Sequence, residues 1–211
     1  MGMSSRRALT SAATALLLCL ATAGAAVAEE VPSDSTAISA DQTTDINDRQ
    51  GWEDADDQPL SERGPTSCDR PETWYTITSK KNYHVPSWWN GTLFKDGPGG
   101  LMNVSVTKSG TISLEVSGSG EWSAGAILAK AKTTISVKVT GSVAVGTGHT
   151  YSHDVKSNKY GHLQYGSWGY KTTWKRWRSG SGSSCDSVEI GHGSATIPTS
   201  ETGWHFWETS T

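Results

Sequence analysis

The chain has 211 residues, with 35% hydrophobic and 18% charged side chains, 23 Gly, 10 Trp and only 2 Phe. That mix excludes a coiled coil, which needs abundant Ala, Glu, Lys and Leu, and a chain disordered throughout; it suits a β-rich extracellular protein. The net charge of −3 is unevenly spread: residues 29–70 carry 12 acidic and 3 basic side chains, whereas residues 71–211 carry 9 acidic and 13 basic.

Arg6 and Arg7 precede an apolar run from Ala12 to about Val27 that closes on Ala26-Val27-Ala28. A basic start, a short apolar stretch and an A-x-A end predict a cleaved secretory signal over residues 1–28, too short to span a membrane comfortably. The protein is therefore expected to be secreted and extracellular. Ser5-Arg6-Arg7-Ala8-Leu9 also loosely resembles a twin-arginine signal, so both export routes stay open. Cleavage leaves 183 residues and removes Cys19, so Cys68 and Cys185 remain, 117 positions apart. An even pair in an exported chain predicts one disulfide, worth roughly 4–5 kcal/mol in the chain-entropy account; two buried thiols are the alternative.

Residues 29–67 form an acidic leader with one aromatic residue, Trp52, and a charge run at Glu53-Asp54-Ala55-Asp56-Asp57. Without helical or strand periodicity it is expected to be disordered and solvated. Its charge also fits a pro-segment that shields a basic domain. The Asp spacing does not fit an EF-hand calcium loop.

The remaining chain, 68–211, reads as a β-rich domain. Met102, Val104, Val106, Ile112, Leu114 and Val116 alternate with polar residues across a turn at Lys108-Ser109-Gly110, which predicts a hairpin of Val104–Thr107 and Thr111–Val116. Ile127 to Val145 keeps one parity; its Ala-rich start, Ala124–Lys132, is compatible with a short helix, and Thr133–Val145 reads as a strand. Tyr160–Arg178 alternates aromatic with small or polar residues as a strand or hairpin, followed by a Gly/Ser loop at Ser179–Ser184. Further strands are expected at Ser187–His192 and Ser194–Ile197, and the chain closes on Gly203–Glu208. The predicted fold is all-β: an antiparallel β-sandwich or elongated sheet with one disulfide, preceded by the disordered acidic segment.

No nucleophile elbow, metalloprotease helix, phosphate loop or dinucleotide fingerprint is present, so neither a catalytic residue nor a cofactor is assigned. His149 and His153 would stand roughly 13 Å apart on a strand, too far to share a metal. The surplus aromatics carry the remaining signal. Trp168, Tyr170 and Trp174 share a parity, Trp177 takes the other, and Lys175, Arg176 and Arg178 add positive charge. Flat rings with polar handles stack on sugars or sit at membrane interfaces, or else fill a core that has few Phe. This predicts a secreted, non-enzymatic domain that binds an extracellular surface through these aromatic and basic residues. The partner would be cell-envelope glycan, a membrane surface or a secreted protein, with no nucleic acid.

The stretch from Lys159 to Tyr170, Lys-Tyr-Gly-His-Leu-Gln-Tyr-Gly-Ser-Trp-Gly-Tyr, resembles small exported proteins of Streptomyces-like actinobacteria that have no assigned function. The resemblance implies secretion and a β-rich fold and brings no site residues. The Ser/Thr-rich alternation from Asn103 to Val145 is similar in style to aerolysin-type pore-forming toxins. That second likeness implies the rival function, a β-pore that oligomerises as an amphipathic hairpin enters a membrane. Thr133–Val145 meets the 9–11 residues a barrel strand needs and Thr111–Val116 does not.

Overall fold

The computed structural model describes residues 37–38, 44–46, 49–54, 57–60, 73–180 and 186–210. The signal segment and both Cys68 and Cys185, with the expected disulfide, lie outside the described residues. In chain order the elements are β1 (Ala37–Ile38), β2 (Thr44–Ile46), β3 (Gln58–Pro59), β4 (Thr73–Pro86), β5 (Leu93–Asp96), β6 (Gly100–Ser105), β7 (Gly110–Ser113) and β8 (Glu115–Ser119). Helix α1 (Ala124–Thr134) follows, the one helix among the described residues, then β9 (Ser142–Val145), β10 (Thr150–Val155), β11 (Tyr160–Ser179), β12 (Ser187–Ile197) and β13 (Glu201–Thr209). The described chain is mostly β, as its composition implies.

The organising element is β11, 20 residues long, or about 65 Å at the usual strand rise. Its neighbours change halfway. The first half pairs with β5 and β13, the second with β4 and β12, all antiparallel. Its two faces are buried at opposite ends. Leu163 and Tyr165, at odd positions in the first half, pack with Trp204, Met102, Val104, Ile112, Val143 and Val145. These partners come from β13 and from two small sheets, β6–β10 and β1–β9–β7. Trp174, at an even position in the second half, packs with Ile77, Ile197, Ile127 and Ala131, the last two from α1. The opposite faces stay open: an aromatic face along the first half and a polar face around Lys171, Thr173 and Lys175.

Three sequence expectations change. Met102, Val104, Val106 and Ile112 are buried as their alternation implies, but β6 pairs with β10 and β7 with β9, so they do not form a hairpin. Leu114 and Val116 turn instead toward the second core. The strand expected over Thr133–Val145 is a helix end, a turn and the four-residue β9. Ala-rich sequence favours the helix, and the Ser123 hydroxyl caps it by accepting from the Ala126 N–H at 3.4 Å. Thr133–Val145 is therefore not a continuous amphipathic strand in this folded form. The strands expected at Ser187–His192 and Ser194–Ile197 are one strand, β12.

The acidic leader departs from its expected disorder in the residues described. Its described residues are ordered as a strap across the sheet. At one edge β2 runs parallel to β13, and at the other β3 pairs with β4. Between them Trp52 lies on the even face of β11, 6.3 Å from the Trp168 ring and 5.8 Å from that of Tyr170, and donates to the Gly169 carbonyl at 3.3 Å. Arg49 stacks 4.5 Å over Trp52 and pairs with Glu201 at 2.7 Å. Burial by itself would raise the Glu201 carboxyl, but its bond to Lys138 and the charge of Arg49 outweigh this and hold it below the usual range. One large ring and one half-buried ion pair provide the burial that the acidic composition concealed.

Trp52 is half-buried, so Trp52→Ala should cost about 2 kcal/mol, less than the 3–5 typical of a core Trp. Urea unfolding should register this as a lower midpoint, and amide exchange should show protection at residues 44–46 in the parent. An unchanged midpoint with unprotected amides would mean that the strap does not hold.

Candidate functional site

The expected aromatic site is divided between core and surface. Trp168 and Trp174 are both 0% exposed, and Trp174 donates to the Ser194 carbonyl at 3.3 Å. Tyr170 is half-buried beneath Trp52. Trp177 is half-buried on the opposite face, donating to the Thr76 hydroxyl at 2.9 Å with Lys175 5.4 Å over its ring. Lys175 pairs with Glu189 at 2.8 Å, Arg176 donates to the Glu121 carbonyl at 2.8 Å, and Arg178 is exposed opposite Thr73. The seven residues thus divide between both faces of β11 and form no common surface. His149 bonds Asp45 at 2.9 Å and His153 stacks on Phe206 at 3.7 Å. Among the described residues no three potential metal ligands gather.

A different aromatic group stands at the surface. Between β4 and β5 the edge pairing with β11 is interrupted by Ser87–Thr92. Tyr165 bridges the gap: its carbonyl accepts from the Ser87 N–H at 3.0 Å and the Ser87 hydroxyl at 2.5 Å, and its N–H donates to the Thr92 carbonyl at 2.8 Å. Inside the loop the Thr92 hydroxyl donates to the Trp89 carbonyl at 2.7 Å, and the Gln164 amide to the Ser87 carbonyl at 3.1 Å. Gly91 has φ +92°, and a Cβ there would lie 2.1 Å from the Thr107 hydroxyl, so glycine is required for this turn. Trp89 anchors the loop, its indole donating to the Lys108 carbonyl at 2.8 Å. Trp88, by contrast, is 77% exposed, the most exposed Trp among the described residues. The signal was present in sequence as Pro86-Ser87-Trp88-Trp89-Asn90-Gly91, paired tryptophans between turn formers, but face periodicity cannot reveal a residue displayed by a loop.

Trp88 lines three crevices, two of which reach titratable side chains of the sheet. One, of about 320 Å³, runs over the open aromatic face and is lined by Glu53, Tyr83, His84, Pro86, Gln164, His205 and Trp207. Trp207 stacks between His162, at 5.0 Å and 8°, and His205, at 5.4 Å and 28°. His205 continues to His84 at 5.2 Å, and His84 to Trp168 at 4.5 Å. Glu53 comes from the strap: one oxygen accepts the His84 N–H at 3.2 Å and the other lies 3.9 Å from His205. Rigid ring faces beside a carboxylate, an amide and an imidazole can stack on a ligand ring and bond its hydroxyls. The second crevice lies on the other side of Trp88, toward Lys171 and Glu115.

No protein-family model matches the chain, and no curated protein matches it.

The wall of the first crevice depends on His84. Its ring fills the space above Gly166, where a Cβ would come within 2.5 Å of it. Its Nε2 carries the hydrogen, because the partner at 3.2 Å is the Gly203 carbonyl, which only accepts. Burial drives the His84 pKa down to about 3, partly offset by that bond and assisted by the charge of His205. The folded pKa lies below the unfolded one, so below pH 6.5 the unfolded chain takes up a proton that the folded chain refuses. Stability should fall as pH drops from 6.5 toward 3, by up to about 1.4 kcal/mol per unit from this residue. Unfolding curves of the parent and His84→Gln across that range test this; equal slopes would contradict it.

Proposed function

We propose that this protein is a secreted, non-enzymatic domain that attaches to cell-envelope glycan, with Trp88 as its anchor. The observation that carries the reading is a tryptophan 77% exposed on a loop fixed by Tyr165, Thr92 and Gln164, between two crevices lined by rings and hydrogen-bonding groups. A loop held in place before binding loses little entropy when a ligand arrives. Exposing Trp costs solvation and gives no folding benefit, which favours an anchoring role for the residue. Glu53, Gln164 and His205 beside the rings favour a polyol over a lipid surface. The site therefore moves from the Trp168–Trp177 strand to the Ser87–Thr92 loop.

Trp88→Ala should remain folded with its melting temperature nearly unchanged and lose at least tenfold in binding to purified cell wall. Trp174→Ala should unfold the domain, at a cost of about 3–5 kcal/mol. Cell-wall binding unaffected by Trp88→Ala would refute the reading, and attachment to anionic lipid vesicles in place of wall would replace it with a membrane one.

Secretion under the signal at residues 1–28 belongs to the same proposal, as does the Cys68–Cys185 disulfide. Supporting the bridge, Thr73 pairs with Arg178 and Ser179 with Ser187, so the described residues five after Cys68 and two after Cys185 stand at one end of the sheet. Denatured, unreduced mature protein should show no free thiol, and Cys185→Ser should lower the melting temperature. Two titratable thiols would contradict the bridge.

A further inference from the structure

The second crevice beside Trp88 has a volume of about 360 Å³ and is lined by Tyr83, Trp88, Trp89, Thr196, Glu115 and Lys171, among others. The β-ladder sets a row across four strands: Lys81, Lys171, Thr196 and Glu115. Lys81 and Lys171 are exposed, directly opposite one another and on the same face of the sheet. Like charges in that position repel. Lys175 is neutralised by Glu189, Lys138 by Glu201 and Lys156 by Glu208, but among the described residues no carboxylate is paired with Lys81 or Lys171. Glu115 stands two strands from Lys171, about 10 Å by the usual strand spacing, too far to cancel it. The Lys171 ammonium is held 3.7 Å from the centroid of the Tyr83 ring, which places it at the crevice wall.

We propose that this crevice receives an anionic group, a carboxylate or a phosphodiester, borne by a glycan whose sugar rings stack on Trp88. The inference rests on the glycan reading above and adds the charge class of the ligand. Lys171 and Lys81 supply two positive charges to one anion, which relieves their mutual repulsion. Thr196 supplies a hydroxyl, and the shared Trp88 wall lets one chain occupy both crevices.

The test measures binding of the full chain, at two salt concentrations, to three probes: chitohexaose, muropeptides carrying free carboxylates, and poly(glycerol phosphate). Lys171→Met should lower affinity for the charged probes about tenfold and flatten their salt dependence, while chitohexaose binding stays within about twofold. Preference for muropeptides or for poly(glycerol phosphate) identifies the source of the anion. Lys81→Met provides a second variant and should show a smaller loss in the same direction. Chitohexaose binding with an unchanged ratio of charged to neutral affinity overturns this inference and leaves the glycan reading intact. Binding of poly(glycerol phosphate) alone, lost in Lys171→Met, keeps the anion site and refutes the glycan reading. Failure of all three probes overturns both.

Discussion

The structure depends on one strand buried on opposite faces along its two halves. A β-strand exposes alternate residues to alternate sides, so burying odd positions early and even positions late requires no change of register. In β11, Leu163 and Tyr165 serve one core and Trp174 the other. The cost is that each half leaves its other face open. Those open faces are where a ligand can reach the sheet. The aromatic face of the first half bears His162, Gln164, His205 and Trp207; the polar face of the second bears Lys171, Thr173 and Lys175.

The strap and the Ser87–Thr92 loop divide the task of managing those faces. Trp52 covers Trp168 and Tyr170 midway along β11, which leaves Glu53 as a wall of the adjoining crevice. Both parallel pairings among the described residues, β1 with β9 and β2 with β13, come from the leader. The segment thus belongs to the sheet's edges, and one of the groups that shape the proposed binding surface comes from it. On the far side of β11, Tyr165 spends its backbone N–H and carbonyl on the loop that displays Trp88, while its side chain fills the core and its hydroxyl meets Thr202 at 2.9 Å and Asp45 at 3.0 Å. Core packing and loop geometry are thereby fixed by the same residue.

Much of the fold was legible from alternation. The β-rich class and the inward positions Met102, Val104, Val106 and Ile112 follow from period two alone. So does the shared parity of Trp168, Tyr170 and Trp174. Parity states that residues share a face without stating which face is covered, and on a strand with a core on each side that question is decided by partners distant in sequence. Strand partners were illegible for the same reason: adjacent β6 and β7 enter different sheets. Helix α1 kept the odd-numbered parity of a strand, and only its Ala content and Ser123 cap distinguish it. The contacts of the leader's described residues were hidden by composition, since its acidity outweighed one Trp and one Arg whose partners on the sheet, Trp168, Tyr170 and Glu201, are distant in sequence. The candidate site was least legible, because Trp88 is set by a loop and Glu53, Gln164 and Trp207 converge from separate elements.

The central claim is that the surface ring Trp88, beside Trp207, meets the ligand while the core tryptophans only support the fold. Side-chain indole N–H resonances report each tryptophan separately. In a titration of the labelled protein with soluble cell-wall glycan fragments, the Trp88 and Trp207 signals should shift together and saturably, and those of Trp168, Trp174 and Trp204 should stay in place. Saturable binding that leaves Trp88 unmoved, or that shifts the buried indoles alone, would contradict the account.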